Sequence, residues 1–303
     1  MKDATLTRKA DPNHRSSIAL SDTVSVGGDT LLIVGGPCAV ESAEQMEQVA
    51  QHLAPTPVQA LRGGVFKPRT SPYAFQGMGE AGLQILADVR QRFAMPVISE
   101  VMAIDQIELM ADHVDVLQVG SRNMQNFDLL KALGRTTKPV LLKRGLAATL
   151  EEFVMAAEYI LSHGNPNVVL CERGIRSFDT YTRNVLDLGA VVALKQITHL
   201  PVLVDPSHAA GKRELVPALA RAAIAAGADG LMVECHPVPD ESVSDARQAL
   251  TLEEMVALAH SLAPIATALG RRLESAGTAP KLELEEVSGA ALLRKSSANA
   301  IAA

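Results

Sequence analysis

The sequence predicts an α/β fold, a (β/α)8 (TIM) barrel, on three observations. Eight short runs rich in Val, Ile and Leu recur along the chain. Each is apolar on both faces of the two-residue period, as a strand covered on both sides requires. Segments with helical periodicity lie between them, and about 240 residues hold the whole set, which suits eight β/α units; a doubly wound sheet, the alternative, more often has about five or six strands.

A small hairpin comes first. Val24 and Val26 alternate, then "GGD" turns the chain into Leu31, which predicts a closure of the barrel's lower end. The strands follow as "LLIVGG" from Leu31, "VQALRGG" from Val58, "MPVISEV" from Met95, "VDVLQVG" from Val114, "KPVLLKRG" from Lys138, "NVVLCERG" from Asn167, "LPVLVDPSH" from Leu200 and "GADGLMVECH" from Gly227. Between them, "ESAEQMEQVAQHLA" opens with a charged first turn and "EAGLQILADVRQRF" sets Leu83, Leu86 and Val89 on one face. "ATLEEFVMAAEYILSHG" has Thr149 and Glu152 spaced as a capping box and Gly164 as its stop. "RELVPALARAAIAAG" and "LTLEEMVALAHSLAPIATAL" follow strands seven and eight. The domain reading is an extension at 1–23, a barrel at 24–269 and a tail at 270–303. The tail is rich in Ala and Ser, with a short helix expected around Leu282 to Val287.

Composition narrows the function. The 303 residues are 48% hydrophobic, enough for a large core, and the formal net charge is -6. That balance, with 3% aromatics, argues against a nucleic-acid partner, whose binding relies on basic surface and stacking. The polar start carries no secretory core, and no run approaches the roughly 20 apolar residues that span a bilayer. Three scattered cysteines, Cys38, Cys171 and Cys235, make no disulfide framework. A reduced, cytoplasmic protein without a membrane partner is the expectation.

Reactive side chains collect at the carboxyl ends of the strands: Cys38, Arg62, Glu100, Arg122, Lys143 with Arg144, Glu172 with Arg173, Asp205 with His208, and Glu234 with His236. In a barrel these ends converge on one face, where active sites of the fold lie. One subset is cationic: Arg62, Lys67, Arg69, Arg122, Lys143 and Arg173. So many cations in one mouth repel one another unless anions join them, which implies substrates with several negative charges. Glu100 and Asp205 stand in the same register as substrate-facing carboxylates. The other subset, Cys38, His208, Glu234 and Asp245, offers a thiolate, an imidazole and two carboxylates to a divalent metal. His236 is a rival ligand. Cys38 reads also as a small buried hydrophobe, or with His208 as a nucleophilic pair, and Asp245 as a helix N-cap. "GMGEAG", Gly77 to Gly82, spells a dinucleotide fingerprint, but "KPRTSPYAFQ" before it has two prolines and no strand pattern. It reads instead as a loop closure and helix start.

At these residues the chain resembles a known family. "GGPCAVES", "FKPRTSPYAFQG", "QVGSRNMQN", "LLKRG", "CERGIRSFDTYTRN", "DPSHAAGKRELV" and "VECHPVPDESVSDARQAL" resemble the 3-deoxy-D-arabino-heptulosonate 7-phosphate (DAHP) synthases, type I beta subgroup. The resemblance runs from about Val24 to Leu269. It implies condensation of phosphoenolpyruvate with erythrose 4-phosphate, the first step of the shikimate route to aromatic amino acids. It implies Cys38, His208, Glu234 and Asp245 as ligands of a divalent metal (Mn, Fe, Co or Zn). Arg62, Lys67, Arg122, Lys143 and Arg173 are implied as the phosphoenolpyruvate site, and Arg69 with Thr70 as the grip on the sugar phosphate. Lys67, Cys38 and His208 are the expected catalytic groups, Lys67 delivering a proton to the aldehyde oxygen. A homodimer or homotetramer is the family habit. The sister 3-deoxy-octulosonate 8-phosphate synthases, which use arabinose 5-phosphate, usually carry "KANR" where this chain has Lys67-Pro68-Arg69-Thr70. Two departures stand out. The family's "SDG" is Ser244-Asp245-Ala246, which predicts an altered Asp245 loop, since alanine tolerates positive φ less well than glycine. Cys235 replaces an apolar residue, and strand alternation points it away from Glu234. With about 23 residues before the hairpin and about 34 after the last helix, a fused regulatory domain is not expected.

Overall fold

The computed structural model describes residues 3–68 and 71–275. Arg69, Thr70 and most of the expected tail, with its helix around Leu282 to Val287, lie outside the described residues.

All eight apolar runs form parallel strands. A two-stranded antiparallel sheet precedes them, β1 (Ile18–Ala19) and β2 (Ser25–Val26). The barrel strands are β3 (Leu32–Gly36), β4 (Ala60–Arg62), β5 (Val97–Glu100), β6 (Val116–Val119), β7 (Val140–Lys143), β8 (Val168–Glu172), β9 (Val202–Val204) and β10 (Gly230–Glu234). They close in the order β10-β3-β4-β5-β6-β7-β8-β9. Closure leaves the barrel no free edge.

The two-residue period sorts the strand residues between two cores. Leu32, Val34, Ala60, Ile98, Val116, Leu141, Val169, Leu203 and Met232 fill the barrel interior. Ile33, Leu61, Val97, Leu117, Leu142, Leu170, Val204 and Val233 face the helices, in one continuous outer core. Burial on both faces is why these runs show no polar alternation.

The helices are α1 (Ala43–Leu53), α2 (Glu80–Phe93), α3 (Ile107–His113), α4 (Phe127–Leu133), α5 (Leu150–Ser162), α6 (Leu188–Ile197), α7 (Pro206–Ala210), α8 (Val216–Ala225), α9 (Leu252–Ser261) and α10 (Ala263–Ala268). The capping box of α5 forms as expected: the Thr149 side chain accepts from the Glu152 amide, and Glu152 accepts from the Thr149 amide. The segment expected as one helix after strand eight is two, α9 and α10. Pro264 in the first turn of α10 has no amide to continue the α9 ladder.

The hairpin closes the lower end of the barrel, as expected, but its pairing differs. Val26 pairs with Ile18 and Ser25 with Ala19, so the first strand falls inside the expected extension. The turn lies at 20–24, where Ser21 Oγ accepts from the Val24 amide at 3.2 Å and the Leu20 amide donates to the Val24 carbonyl at 2.8 Å. A side-chain-capped turn of this kind outcompetes "GGD". Ile18, Leu20, Val24 and Val26 then plug the interior core. The residues before it are also docked. One carboxylate, Glu158 of α5, accepts from the amides of Thr5, Leu6 and Thr7 and from the hydroxyls of Thr5 and Thr7.

Candidate active site

Four side chains from four elements converge above the barrel. Cys38 follows β3, Glu234 ends β10, His208 sits in α7, and Asp245 lies in the loop beyond β10. One ligand atom of each lies within 4.8 Å of every other. Cys38 Sγ is 3.1 Å from Asp245 Oδ2, and His208 Nε2 is 3.4 Å from Glu234 Oε1. This donor set fits a borderline divalent cation.

The local structure aims each group. Asp205 ends β9, caps α7 through the His208 amide, and holds His208 Nδ1 at 2.7 Å, leaving Nε2 for a ligand. Burial keeps the imidazole below its ordinary pKa, against the pull of Asp205 and Glu234, so the neutral, ligating form is favoured. Burial pushes the Cys38 thiol up to about 12; Glu234 adds to this and Lys67 opposes it. The thiol therefore keeps its proton, which it shares with Asp245 Oδ2, and ligation of a cation requires its loss. Burial disfavours the charges of Glu234 and Asp245. That is the largest single influence, but His208 with Arg62 at Glu234, and His208 with Arg183 and the Cys38 hydrogen bond at Asp245, together outweigh it, and both carboxyls sit below the ordinary range.

The positive backbone angle of the last loop falls on Asp245 itself, φ 55, and not on Ala246. Asp tolerates that region better than most residues, so alanine in place of the family's glycine adds no strain. His236 lies outside this four-residue group. Its Nδ1 accepts from the Val238 amide at 3.0 Å and its Nε2 lies 3.5 Å from Glu41 Oε2. Cys235 belongs to the outer core, pointing away from Glu234 as alternation requires.

Beside this group opens a cavity of about 300 Å³ whose wall carries seven cationic side chains against two carboxylates. The cations are Arg62, Lys67, Arg122, Lys143, Arg173, Arg176 and Arg183; the carboxylates are Glu100 and Asp245. Four of the cations are braced. Arg62 bonds Glu234 at 2.6 Å, Lys143 bonds Asp205 at 2.5 Å, Arg183 bonds Asp245 at 3.0 Å, and Lys67 Nζ lies 2.9 Å from Cys38 Sγ. Arg122, Arg173 and Arg176 pair with no carboxylate among the described residues. Arg173 is 5% exposed, and burial lowers its pKa, with Asp205 opposing and Arg183 assisting. A buried guanidinium without a counter-ion favours an arriving anion. Glu100 projects over Gly120, where an added Cβ would stand 2.0 Å from its Oε1. A side chain at 120 would displace that carboxylate from its place.

Five expected substrate residues, Arg62, Lys67, Arg122, Lys143 and Arg173, share this wall with Glu100. Arg69 and Thr70 lie outside the described residues. Asp205, expected to face substrate, does not line this cavity: it is fully buried and held by Lys143 and His208. Arg144 and Glu172 pair with each other behind the wall, and Arg144 also reaches Asp187. Sequence reasoning missed Arg176 and Arg183. The signal was topological: the long excursion between β8 and α6 folds back through an Ile175–Val185 bridge, which brings both arginines over the mouth. Gln248 was missed because nothing in its spacing marks it. "GMGEAG" behaves as expected. Gly77 and Gly79 take positive φ, no strand directly precedes them among the described residues, and α2 begins at Glu80.

A (β/α)8 barrel with a cation-lined mouth beside a Cys/His/Glu/Asp group defines a barrel enzyme built for polyanionic ligands. Comparison with known proteins makes this particular. The model of the DAHP synthetase I family matches residues 9–270, and the chain belongs to that family. It is 47% identical over 247 residues to the phospho-2-dehydro-3-deoxyheptonate aldolase of Thermotoga maritima, covering 82% of this chain and 73% of the relative. It is 33% identical over 257 residues to the 2-dehydro-3-deoxyphosphooctonate aldolase of Syntrophotalea carbinolica, covering 79% and 92%. The crystal structure of the Thermotoga maritima DAHP synthase superposes with a TM-score of 0.86 at 43% identity, over 90% of this chain and 80% of that one. A truncated form of the Thermotoga maritima enzyme gives 0.82 at 42% identity, over 89% and 98%. The chain is accordingly a carbon–carbon bond-forming enzyme.

Proposed function

We propose that this enzyme condenses phosphoenolpyruvate with erythrose 4-phosphate and water to give DAHP and phosphate, as the first step of the shikimate route. One observation carries the reading: a mouth with seven cations against two carboxylates, beside four convergent metal-ligand side chains. Two phosphates and a carboxylate are the complement of that excess charge. The greater identity to the heptonate aldolase than to the octonate aldolase supports the shorter sugar.

In this reading C3 of phosphoenolpyruvate bonds to the aldehyde carbon. Water oxygen adds to C2, the C2–O bond to phosphate breaks, and phosphate leaves. Arg62, Lys67, Arg122, Lys143 and Arg173 bind phosphoenolpyruvate through charge-assisted hydrogen bonds. Arg69 and Thr70 hold the sugar phosphate. Lys67 passes a proton to the aldehyde oxygen as it becomes a hydroxyl, and Glu100 offsets transient positive charge at C2. Cys38, His208, Glu234 and Asp245 would hold a divalent ion, which would supply Lewis-acid character beside the aldehyde. The donor set suits Mn, Fe, Co or Zn.

A cytoplasmic location accords with three unpaired cysteines and with the lack, among the described residues, of a helix long and apolar enough to cross a membrane. A homodimer or homotetramer completes the proposal. The test is phosphate release from phosphoenolpyruvate with erythrose 4-phosphate, with arabinose 5-phosphate, or with neither, each with and without chelator. Release with erythrose 4-phosphate alone, lost with chelator and restored by divalent ion, is expected. Preference for arabinose 5-phosphate would favour octulosonate synthesis, and no release with either sugar and added metal would end the enzymatic reading.

A further inference from the structure

We propose that Arg183 and Gln248 are positioning residues for the metal centre, holding the outward oxygens of its two carboxylate ligands. The inference rests on the metal-dependent reading above and assigns residues beyond the four ligands.

Arg183 Nη1 donates to Asp245 Oδ1 at 3.0 Å and to Gln248 Oε1 at 3.1 Å. Gln248 Nε2 donates to Glu234 Oε2 at 2.6 Å. The neighbours decide the orientation of this amide: a guanidinium only donates and a carboxylate only accepts, so Gln248 must turn its oxygen to Arg183 and its nitrogen to Glu234. The other oxygens, Asp245 Oδ2 and Glu234 Oε1, are those that face the cluster, 3.8 Å and 3.4 Å from His208 Nε2, and Glu234 Oε1 also accepts from Arg62 Nη1 at 2.6 Å. One guanidinium thus orients both ligand carboxylates, one directly and one through an amide relay. A carboxylate with one oxygen already engaged loses less rotational freedom when the other takes a cation.

The same stretch of chain supports the third ligand. The Arg183 amide donates to the Ala210 carbonyl, the Asn184 amide to the Ala209 carbonyl, and Asn184 Nδ2 to the His208 carbonyl at 2.9 Å. The β8–α6 excursion is therefore stitched to the helix that carries His208. Close approach is possible because residue 211 is glycine at φ 67; an added Cβ would stand 2.6 Å from Arg183 Cβ. Arg183 keeps 41% of its side chain exposed, so it can be replaced without opening the core. Gln248 is 2% exposed and is the harder substitution.

The experiment is a cobalt(II) titration of the full chain stripped of metal, for the wild type, Arg183→Met, Arg183→Lys and Gln248→Met. The thiolate-to-cobalt charge-transfer band reports Cys38, the d–d bands report geometry, and competition with a chelator gives Kd. Arg183→Met and Gln248→Met should weaken binding about 10- to 100-fold and alter the d–d bands, the usual range for outer partners of metal ligands. Arg183→Lys should recover much of the loss. Wild-type Kd and spectrum in Arg183→Met would overturn the inference. So would a raised KM for phosphoenolpyruvate with unchanged Kd, which would make Arg183 a substrate contact instead. If Gln248→Met does not fold, Arg183→Met decides alone. A wild-type chain with no charge-transfer band would sink the metal reading itself, an outcome distinct from a variant that matches the wild type.

Discussion

Lys67 Nζ lies 2.9 Å from Cys38 Sγ and 2.8 Å from the Cys38 carbonyl, so one ammonium contacts both the candidate ligand sulfur and the backbone that carries it. It also lines the cavity, between the donor group and the cations. A proton donor for the aldehyde oxygen belongs at that border. Lys67→Met should lower kcat about 10²- to 10⁴-fold, the usual range for general acid–base groups. Stopped turnover with saturating metal and both substrates measures it, and near-normal kcat would remove Lys67 from the proton path.

Arg173 predicts a trade between stability and function. It is buried without a carboxylate bonded to it, so its charge is desolvated and only partly offset, by Asp205 at longer range, in the free enzyme. Arg173→Met should raise KM for phosphoenolpyruvate while leaving the substrate-free protein as stable, or more stable by about 1 kcal/mol. Denaturant melts with parallel kinetics test both halves. A large loss of stability would mean that the guanidinium has a structural partner.

Metal removal should be visible without any substrate. A divalent ion bound to the folded chain alone stabilises it by about 2.7 kcal/mol at a hundredfold excess over Kd. Thermal melts should therefore shift upward with added Mn or Co and fall back with chelator. Cys38→Ala removes one of the four donors and should abolish most of the shift. Equal shifts in the two proteins would place the ion elsewhere.

Glu158 makes the attachment of residues 5–7 sensitive to acid. Burial raises its pKa, but the amides of Leu6 and Thr7 and the hydroxyls of Thr7 and Thr5 outweigh this and leave it below the ordinary value of 4.5. A depressed folded pKa means that the contribution is present above 4.5 and is lost as pH falls through the folded value. Deuterium uptake at residues 5–7, corrected for the intrinsic exchange rate, should be low near neutrality and rise as pH falls below 4.5 through the folded value. Glu158→Gln should show the raised uptake at both pH values, since a neutral amide replaces a carboxylate that accepts five bonds.

The barrel was legible because its signal is local and repeated. A strand covered on both faces must be apolar at every position, and all eight such runs formed strands. The hairpin was only half legible. Val24 and Val26 announced buried residues, but their partner Ile18 and the Ser21 turn depend on which local hydrogen bonds prevail. The four side chains that converge, Cys38, His208, Glu234 and Asp245, were nameable from their residue types as a candidate ligand set, and the resemblance of their motifs sharpened it. Asp205 was read as facing substrate because a strand-end position does not tell a wall residue from one that braces the layer beneath.

What the sequence alone determined is the alternation of strand and helix, the gathering of charges at one end, and the donor types at that end. Periodicity and chain order carry all of this. What only the tertiary structure decided is which side chains meet. It paired Arg183 with Asp245 across 62 positions and Arg62 with Glu234 across 172. It set Arg144 and Glu172 behind the wall, and it left Arg173 facing the cavity without a counter-ion. Barrel closure brings distant strand ends within bonding distance, and no local pattern encodes a contact created by closing the sheet.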